Sequence, residues 1–311
     1  MELSLLLYLG MFVGALALLV KSSDWFIDSA EAIGLSFGIS PYIIGVTIVA
    51  FGTSLPELAT SIASLYAGES SVVVANVIGS NITNILLILG VVAVMARNGI
   101  RMQGQMIMEI DMPLLVISAF LFYFTISDGN LSIFEAILLF SSLIIFLINS
   151  MRSDKDEGDE ARPSVNWKHY ALLIGGGAGV ALGADLTMRA VIELSKIFSI
   201  PSEVIAVSMI ALGTSLPELV VSLSAAKKGK TEMAVGNVLG SNIFNTYAVM
   251  AIPRFFGDLE IPPEFLKFHL PFMVGITIVF AVISMHNKIP RFAGAMLLIL
   301  YGFFMVTLFG G

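Results

Sequence analysis

The chain has 311 residues, 57% of them hydrophobic and only 13% charged, whereas about a quarter of the residues in a soluble domain carry charge. The absence of cysteine excludes disulfides, thiol catalysis and cysteine-based metal sites. The three histidines (His169, His269 and His286) fall at or near predicted span ends, which argues against a histidine-based zinc site. This composition predicts a multi-pass protein of the lipid bilayer with no nucleic-acid partner.

Apolar stretches long enough to cross a bilayer recur along the whole chain. The first and the sixth are longer than one straight crossing needs, so we expect those two helices to be tilted. The predicted spans are residues 3–33, 40–67, 71–96, 112–127, 132–150, 168–198, 202–227, 231–252, 268–285 and 291–309.

Two sequence motifs occur twice at the same spacing. The heptapeptide GTSLPEL occupies residues 52–58 and again 213–219, and the same shift carries NVIGSNITN (76–84) onto NVLGSNIFN (237–245). The chain is therefore two homologous halves of five spans each. Because five is odd, the halves enter the membrane from opposite sides, which is a recurrent plan of secondary transporters with a midplane site.

The predicted fold class is an all-α membrane protein with ten transmembrane helices in two inverted five-helix repeats. The first repeat covers residues 1–150 with its motif region at 50–84, and the second covers 168–311 with its motif region at 211–245. A polar linker, residues 151–167, joins them. Eleven of the sixteen lysines and arginines fall in alternate loops, which places the linker in the cytoplasm and both termini outside the plasma membrane.

Each GTSLPEL motif puts a proline and a glutamate inside an apolar span. Pro56 lacks a backbone donor and clashes with the carbonyl of Gly52, so we expect the helix to break or kink there and to free carbonyls near Ala50 and Thr53. Glu57 lies three residues after Ser54 and shares its helix face. A carboxylate at membrane depth indicates function, and the second half supplies the same residue types.

The GSNxxN segments add further oxygen donors. Ser80 and Asn84 are four residues apart on one helix face, as are Ser241 and Asn245. Each such pair alone is more typical of helix packing than of ion binding. Together with two carboxylates, however, they form an all-oxygen set that suits Ca²⁺, which takes about six to eight oxygen ligands. Without a cation, the carboxylates would repel each other or take up protons.

These motifs, GTSLPEL with GSNITN and GTSLPEL with GSNIFN, resemble those of the cation/calcium exchanger superfamily. Over essentially its whole length the chain looks most like the prokaryotic sodium/calcium exchangers. The resemblance implies an antiporter rather than an enzyme, with Ca²⁺ and Na⁺ as transported ions and no cofactor. It also implies alternating access, with spans 1 and 6 sliding past the rest.

The resemblance further implies a set of ion-binding residues. Those shared by Ca²⁺ and Na⁺ are Glu57 and Glu218, with backbone carbonyls of Thr53 and Thr214 added for Ca²⁺. Those completing flanking Na⁺ sites are Ser54, Ser80, Ser215 and Ser241 with the carbonyls of Ala50 and Ala211, and those at the centre are Asn84 and Asn245. Some members carry Asp at the position of Asn245, linked in one branch to K⁺, so asparagine argues against K⁺ dependence.

Other functions stay open at this point. Exchange of H⁺ for Ca²⁺ or another divalent cation fits the same carboxylates. A cation channel is disfavoured because one inverted pair within a single chain favours an occluded site over a pore. The motifs of an intramembrane enzyme are not evident. We expect three or more Na⁺ per Ca²⁺, hence net charge movement, and a monomer that can function alone.

Two aspartates, Asp24 and Asp185, are related by the same 161-residue shift. Asp24 lies three residues after Lys21, and Asp185 lies four before Arg189. A local ion pair explains each of them, and we favour that interpretation over a role in ion access.

Overall fold

The computed structural model describes residues 2–97, 99–101, 110–153, 163–198, 213–285 and 288–309. This part of the chain is nearly all helical, with one antiparallel pair of two-residue strands, Ile100–Arg101 (β1) and Lys288–Ile289 (β2). The helices are α1 (Glu2–Ser36), α2 (Pro41–Tyr66), α3 (Ser71–Met95), α4 (Met112–Ile126), α5 (Ile133–Ser153), α6 (Trp167–Ile197), α7 (Leu216–Lys227), α8 (Thr231–Phe244), α9 (Ala251–Arg254), α10 (Phe265–Ser284) and α11 (Arg291–Phe309).

Seven helices among the described residues are long and apolar enough to cross a membrane, namely α1, α2, α3, α5, α6, α10 and α11. They and the shorter α4 begin and end within a few residues of the predicted spans, so the prediction of a helical membrane protein is confirmed. The predicted span 202–227 lies partly outside the described residues. The predicted span 231–252 consists of α8, a π-helical turn at Asn245–Val249 and the start of α9.

Helices α1 and α6 pack against each other along glycines of α6. With 35 and 31 residues, each exceeds the roughly 20 residues that one straight crossing requires. Residue numbers fall along α1 as they rise along α6 at the contacts, so the two helices run antiparallel. The closest approaches are Gly176 to Phe26, Gly179 to Ser22 and Gly183 to Leu19.

Helix α8 lies in the protein interior, where its glycines let it approach α2 backbone to backbone. A Cβ atom at Gly236 would overlap the carbonyl oxygen of Tyr42, and one at Gly240 would overlap that of Val46. Every residue of α8 from Met233 onward is buried. The GSNxxN segment of the second half is thereby held against the helix that carries the first GTSLPEL motif.

Two equivalent turns have the same backbone conformation. Gly68 between α2 and α3 has φ +82°, and Gly229 between α7 and α8 has φ +80°. Both values lie in the left-handed region that glycine adopts readily. The 161-residue shift relates the two positions, so each half connects its two motif-bearing helices by the same kind of turn.

The backbone around the two motif prolines differs between the copies among the described residues. In the first copy Pro56 lies inside the continuous helix α2, and the irregular backbone is a π-helical turn at Gly45–Val49, before the motif. The expected break or kink is therefore not a break in this copy, since the helix continues through Pro56. In the second copy Thr214 and Ser215 form a turn, and α7 begins only at Leu216.

Candidate cation-binding site

The two GTSLPEL motifs place their glutamates next to each other in the protein interior. Glu57 on α2 and Glu218 on α7 are both completely buried. They lie near enough for the charge of one to act on the other. The hydroxyl of Ser54 donates a hydrogen bond to Oε1 of Glu218 over 3.1 Å, so a serine of the first half contacts the glutamate of the second.

The threonine of each motif faces a serine of the opposite half. Thr53 Oγ1 lies 3.5 Å from Ser241 Oγ, and Thr214 Oγ1 lies 3.2 Å from Ser80 Oγ. All four are buried except Thr214, which is partly accessible. The two halves thus supply matching hydroxyl pairs on either side of the glutamates.

Unpartnered polar atoms are concentrated in this region. Buried polar groups in proteins are nearly always hydrogen-bonded, so oxygens without partners around two carboxylates suit a dehydrated cation. Among the described residues, the buried atoms of the motifs without a hydrogen-bond partner are both carboxylate oxygens of Glu57, Oε2 of Glu218, Oδ1 of Asn81 and Asn84, Oγ of Ser215, Nδ2 of Asn242 and both amide atoms of Asn245.

Of three further predicted residues, two lie among the described residues and one does not. Ala50 is buried at the start of the motif region, and its carbonyl accepts a hydrogen bond from the hydroxyl of Thr53 over 3.3 Å. Ala211 lies outside the described residues. Asn84 is fully buried, and its amide nitrogen donates to Oδ1 of Asn242 over 3.1 Å, so it bridges the two halves.

Sequence reasoning missed four asparagines that contact the opposite half. Asn76 and Asn237 accept hydrogen bonds from Thr214 and Thr53. Asn242 is the partner of Asn84, and Asn81 donates to Thr246 Oγ1 over 3.0 Å. All four lie in the repeated NV(I/L)GSN segments and coincide under the 161-residue shift, so the repeat itself contained the signal.

A cavity of about 320 Å³ is lined by the motif prolines Pro56 and Pro217, each of which precedes its glutamate in the sequence. Its lining includes Asn76 and Thr214, which belong to the two motif regions. Its walls include Thr60, Val72, Ala184 and Asp185, from α2, α3 and α6. A solvated ion can therefore approach the polar cluster along α6.

The interpretation of the two aspartates is confirmed for one and wrong for the other. Asp185 forms the expected ion pair with Arg189 of the same helix, over 2.8 Å. Asp24 pairs with Lys228, over 3.3 Å, because α1 packs against the distant helix α7. Lys21 instead lies over the ring of Trp25 at 5.6 Å.

A helical membrane protein that buries two carboxylates among hydroxyl and amide oxygens has the features of a secondary transporter of cations. The profile of the family described as "Sodium/calcium exchanger protein" matches residues 7–152 and 168–310. The chain belongs to this family, as its motifs predict, and it is a transporter rather than an enzyme.

Individual relatives match over nearly the full length. The chain is 34% identical to the sodium/calcium exchanger MaX1 of Methanosarcina acetivorans, over 94% of this chain and 96% of that protein. It is 30% identical to the inner membrane protein YrbG of Escherichia coli, over 96% and 95%. A solved structure of the sodium-calcium exchanger NCX_Mj, soaked with Na⁺ and Sr²⁺, superposes with a TM-score of 0.86 at 31% identity and covers 97% of this chain and 99% of that one.

Proposed function

We propose that this antiporter exchanges Na⁺ for Ca²⁺ across the plasma membrane by alternating access. The observation that carries the proposal is the pair of buried glutamates, whose unpartnered oxygens are enclosed by side chains of both halves. Ca²⁺ requires hard oxygen ligands and two compensating charges, and this cluster offers both. That MaX1 and NCX_Mj are named sodium/calcium exchangers supports Na⁺ as the coupling ion.

The proposed ligands follow from the positions of the oxygens. Glu57 and Glu218 bind either cation, so Ca²⁺ and Na⁺ exclude each other. The carbonyls of Thr53 and Thr214 add to the Ca²⁺ site. The proposed flanking Na⁺ ligands are the hydroxyls of Ser54, Ser80, Ser215 and Ser241 and the carbonyls of Ala50 and Ala211, with Asn84 and Asn245 at the centre.

The proposed topology is ten transmembrane helices in two inverted repeats, with the 151–167 linker in the cytoplasm and both termini outside. The paired contacts support it, since Thr53 with Ser241 and Thr214 with Ser80 exchange places under the 161-residue shift. Both halves of the cluster come from one chain, so we propose that the monomer transports ions by itself.

Charge compensation supplies the coupling in this proposal. With both glutamates ionised and no cation bound, reorientation would carry unpaired charge through the membrane centre, which is costly. Binding of either Ca²⁺ or Na⁺ compensates the charge of the glutamates and removes that cost. The moving element is the α1–α6 pair, because its glycine contacts join the two helices closely to each other, and because the cavity on one side is lined by α6.

The proposed stoichiometry follows from the free energy needed to extrude one Ca²⁺. Against a roughly thousandfold Ca²⁺ gradient and about 100 mV, extrusion of one Ca²⁺ costs about 8.7 kcal/mol. With a roughly tenfold Na⁺ gradient, each entering Na⁺ releases about 3.7 kcal/mol. Two ions release too little, at about 7.4 kcal/mol, and three release about 11.1 kcal/mol. We therefore propose three or more Na⁺ per Ca²⁺ and electrogenic exchange.

Proteoliposomes test this function. Vesicles loaded with Na⁺ are expected to take up ⁴⁵Ca²⁺, and an inside-positive potential set with K⁺ and valinomycin should accelerate uptake because net positive charge leaves with Na⁺. Vesicles loaded with K⁺ serve as the control. Uptake that ignores the membrane potential would contradict electrogenic exchange, and uptake driven by a pH gradient without Na⁺ would establish the H⁺/Ca²⁺ alternative instead.

A further inference from the structure

Asn76 on α3 makes an unusually complete set of hydrogen bonds beside the glutamates. Its amide nitrogen donates to the carbonyl oxygen of Glu57 over 3.1 Å and to Ser61 Oγ over 3.0 Å. A carbonyl oxygen can only accept, so this contact determines which way the amide faces. The amide oxygen accepts from Thr214 Oγ1 over 2.9 Å, and Ser80 Oγ also donates to it, over 3.4 Å.

The second half repeats the arrangement. Asn237 on α8 accepts from Thr53 Oγ1 over 3.1 Å and donates to Ser222 Oγ over 2.9 Å. Ser222 is the equivalent of Ser61 under the 161-residue shift. Each asparagine therefore ties the motif threonine of one half to the glutamate-bearing helix of the other.

We infer that Asn76 and Asn237 are positioning residues for ion coordination. A hydroxyl has one proton and two lone pairs, and it can bind a cation only if its proton points elsewhere. The fixed amide oxygen accepts the hydrogen bonds of Thr214 and Ser80 in one half. In the other half it accepts from Thr53 over 3.1 Å, and the carbonyl of Ala50 is a second, longer acceptor at 3.3 Å. The lone pairs of these hydroxyls are then turned toward the glutamates before an ion arrives. The inference rests on the proposed function, since it assigns the orientation of the Ser80 hydroxyl, a proposed Na⁺ ligand, and adds the hydroxyls of Thr53 and Thr214 to the carbonyl ligands proposed for them.

Two substitutions at Asn76 separate its acceptor role from its packing role. Asn76→Leu keeps the approximate volume but removes the acceptor, and we expect it to raise the half-saturating Na⁺ concentration about tenfold, as for a lost buried hydrogen bond. Asn76→Asp keeps acceptor oxygens for both hydroxyls, and it should change that concentration less. The readouts are Na⁺ and Ca²⁺ half-saturation in exchange, the maximal rate, and the thermal midpoint in detergent.

A double-mutant cycle with Ser80→Ala tests the route of the effect. If Asn76 acts by orienting hydroxyls, Asn76→Leu should change Na⁺ half-saturation by no more than about twofold in a chain that already lacks the Ser80 hydroxyl. The inference would be overturned if the effects of Asn76→Leu and Ser80→Ala on the half-saturating Na⁺ concentration simply multiplied. It would also be overturned if Asn76→Asp and Asn76→Leu raised that concentration equally at an unchanged thermal midpoint. Failure of the proposed function looks different, because the unsubstituted chain would then show no Na⁺-dependent exchange at all.

The two halves differ in the ion pairs formed by α1 and by α6, and this difference supports a second inference. One face of α1 presents Asp24, Asp28 and Glu31 to the turn between α7 and α8. Lys228 lies 2.8 Å from Asp28, and Lys230 lies 3.1 Å from Asp28 and 2.6 Å from Glu31. Burial lowers the pKa of Lys230, but its hydrogen bonds to the two carboxylates outweigh this and raise the pKa above its ordinary value.

The equivalent end of α6 has no such network among the described residues. Asp185 pairs with Arg189 of its own helix. The positions equivalent to the two lysines are Ala67 and Glu69, which cannot bind a carboxylate. The cavity opens beside Asp185, whereas at the other end Ser224 and Lys228 hold Asp24 against α7.

We propose that this ion-pair network is a latch that holds α1 against the α7–α8 turn. The latch stabilises the state whose cavity opens along α6. This inference also rests on the proposed function, because a latch has a role only if α1 moves. The two helix ends lie toward opposite faces of the membrane in the proposed topology, so releasing the latch favours the state open on the other face.

Thiol labelling tests the latch without any transport assay, because the natural chain has no cysteine. Val72→Cys places a thiol in the cavity wall, and Met233→Cys places one at the equivalent, fully buried position. Combining Lys228→Gln with Lys230→Gln is expected to slow labelling at residue 72 and speed it at residue 233, each by about fivefold or more if several ion pairs are lost. Arg189→Gln is the matched control and should change neither rate.

Labelling rates that stay unchanged in the double lysine variant, or that change equally in Arg189→Gln, would overturn the latch. If the lysine variants do not fold, labelling at residues 72 and 233 is measured instead at rising ionic strength, in chains that keep both lysines. Salt screens partly exposed ion pairs, so labelling at residue 72 should slow as salt rises. Insensitivity to salt would count against the latch.

Discussion

Glu57→Gln and Glu218→Gln are each expected to abolish Na⁺-driven Ca²⁺ uptake. Each removes one of the two charges that compensate Ca²⁺ in a fully buried cluster. An uncompensated buried charge costs about 3–5 kcal/mol, which corresponds to a loss of about two orders of magnitude or more in ion affinity. The measurement is initial ⁴⁵Ca²⁺ uptake into Na⁺-loaded proteoliposomes, compared at equal amounts of reconstituted protein.

Glu193→Gln provides the control for this pair. Glu193 is a partly exposed carboxylate on α6 that pairs with Lys196, so its removal alters charge without touching the cluster. Uptake by that variant should match the unsubstituted chain. Substantial uptake by Glu57→Gln or Glu218→Gln at unchanged Ca²⁺ affinity would contradict the assignment of these carboxylates.

Gly240→Val is expected to prevent correct folding. The added Cβ would overlap the carbonyl oxygen of Val46 and lie 2.7 Å from the Cβ of Ala50. The backbone of Val46 and the Cβ that is fixed to the backbone of Ala50 cannot move aside cheaply, and overpacking of this kind costs about 1–3 kcal/mol or more. We expect a large drop in the thermal midpoint in detergent, with much of the protein aggregated in size-exclusion chromatography.

Gly302→Val in α11 is the matched control. No atom lies within 4 Å of the position that its Cβ would occupy, so only the modest helix-propensity change remains. A Gly240→Val protein as stable as the Gly302→Val protein would show that α8 and α2 do not approach as closely as described.

The repeat made much of the architecture predictable. The 161-residue shift aligned two motifs that the fold brings together, and the apolar spans matched most helices closely. The glutamates stood out because a carboxylate in an apolar span has few structural explanations. Asn76 and Asn237 did not stand out in the sequence. An asparagine in a helix is compatible with ordinary packing, and the hydrogen-bond partners of these two lie on distant parts of the chain.

Long-range contacts account for what the sequence could not show. Asp24 was expected to pair with its neighbour Lys21, but tertiary packing offers it Lys228 and Ser224. Pro56 was expected to break or kink its helix, yet the helix continues through it, and the π-helical turn lies earlier, at Gly45–Val49, where α2 packs against α8. For Asp24, local spacing predicted a partner on its own helix, and a neighbouring helix supplied a different one.

The central claim is that one cluster of oxygens binds Ca²⁺ and Na⁺ in turn. It is tested most directly by equilibrium ⁴⁵Ca²⁺ binding to the purified protein while Na⁺ replaces choline at constant ionic strength. We expect Na⁺ to displace Ca²⁺ completely, with a Hill coefficient above one because several Na⁺ occupy the cluster that held one Ca²⁺. Ca²⁺ that stays bound at saturating Na⁺ would show that the two ions do not share these glutamates, and would contradict the account.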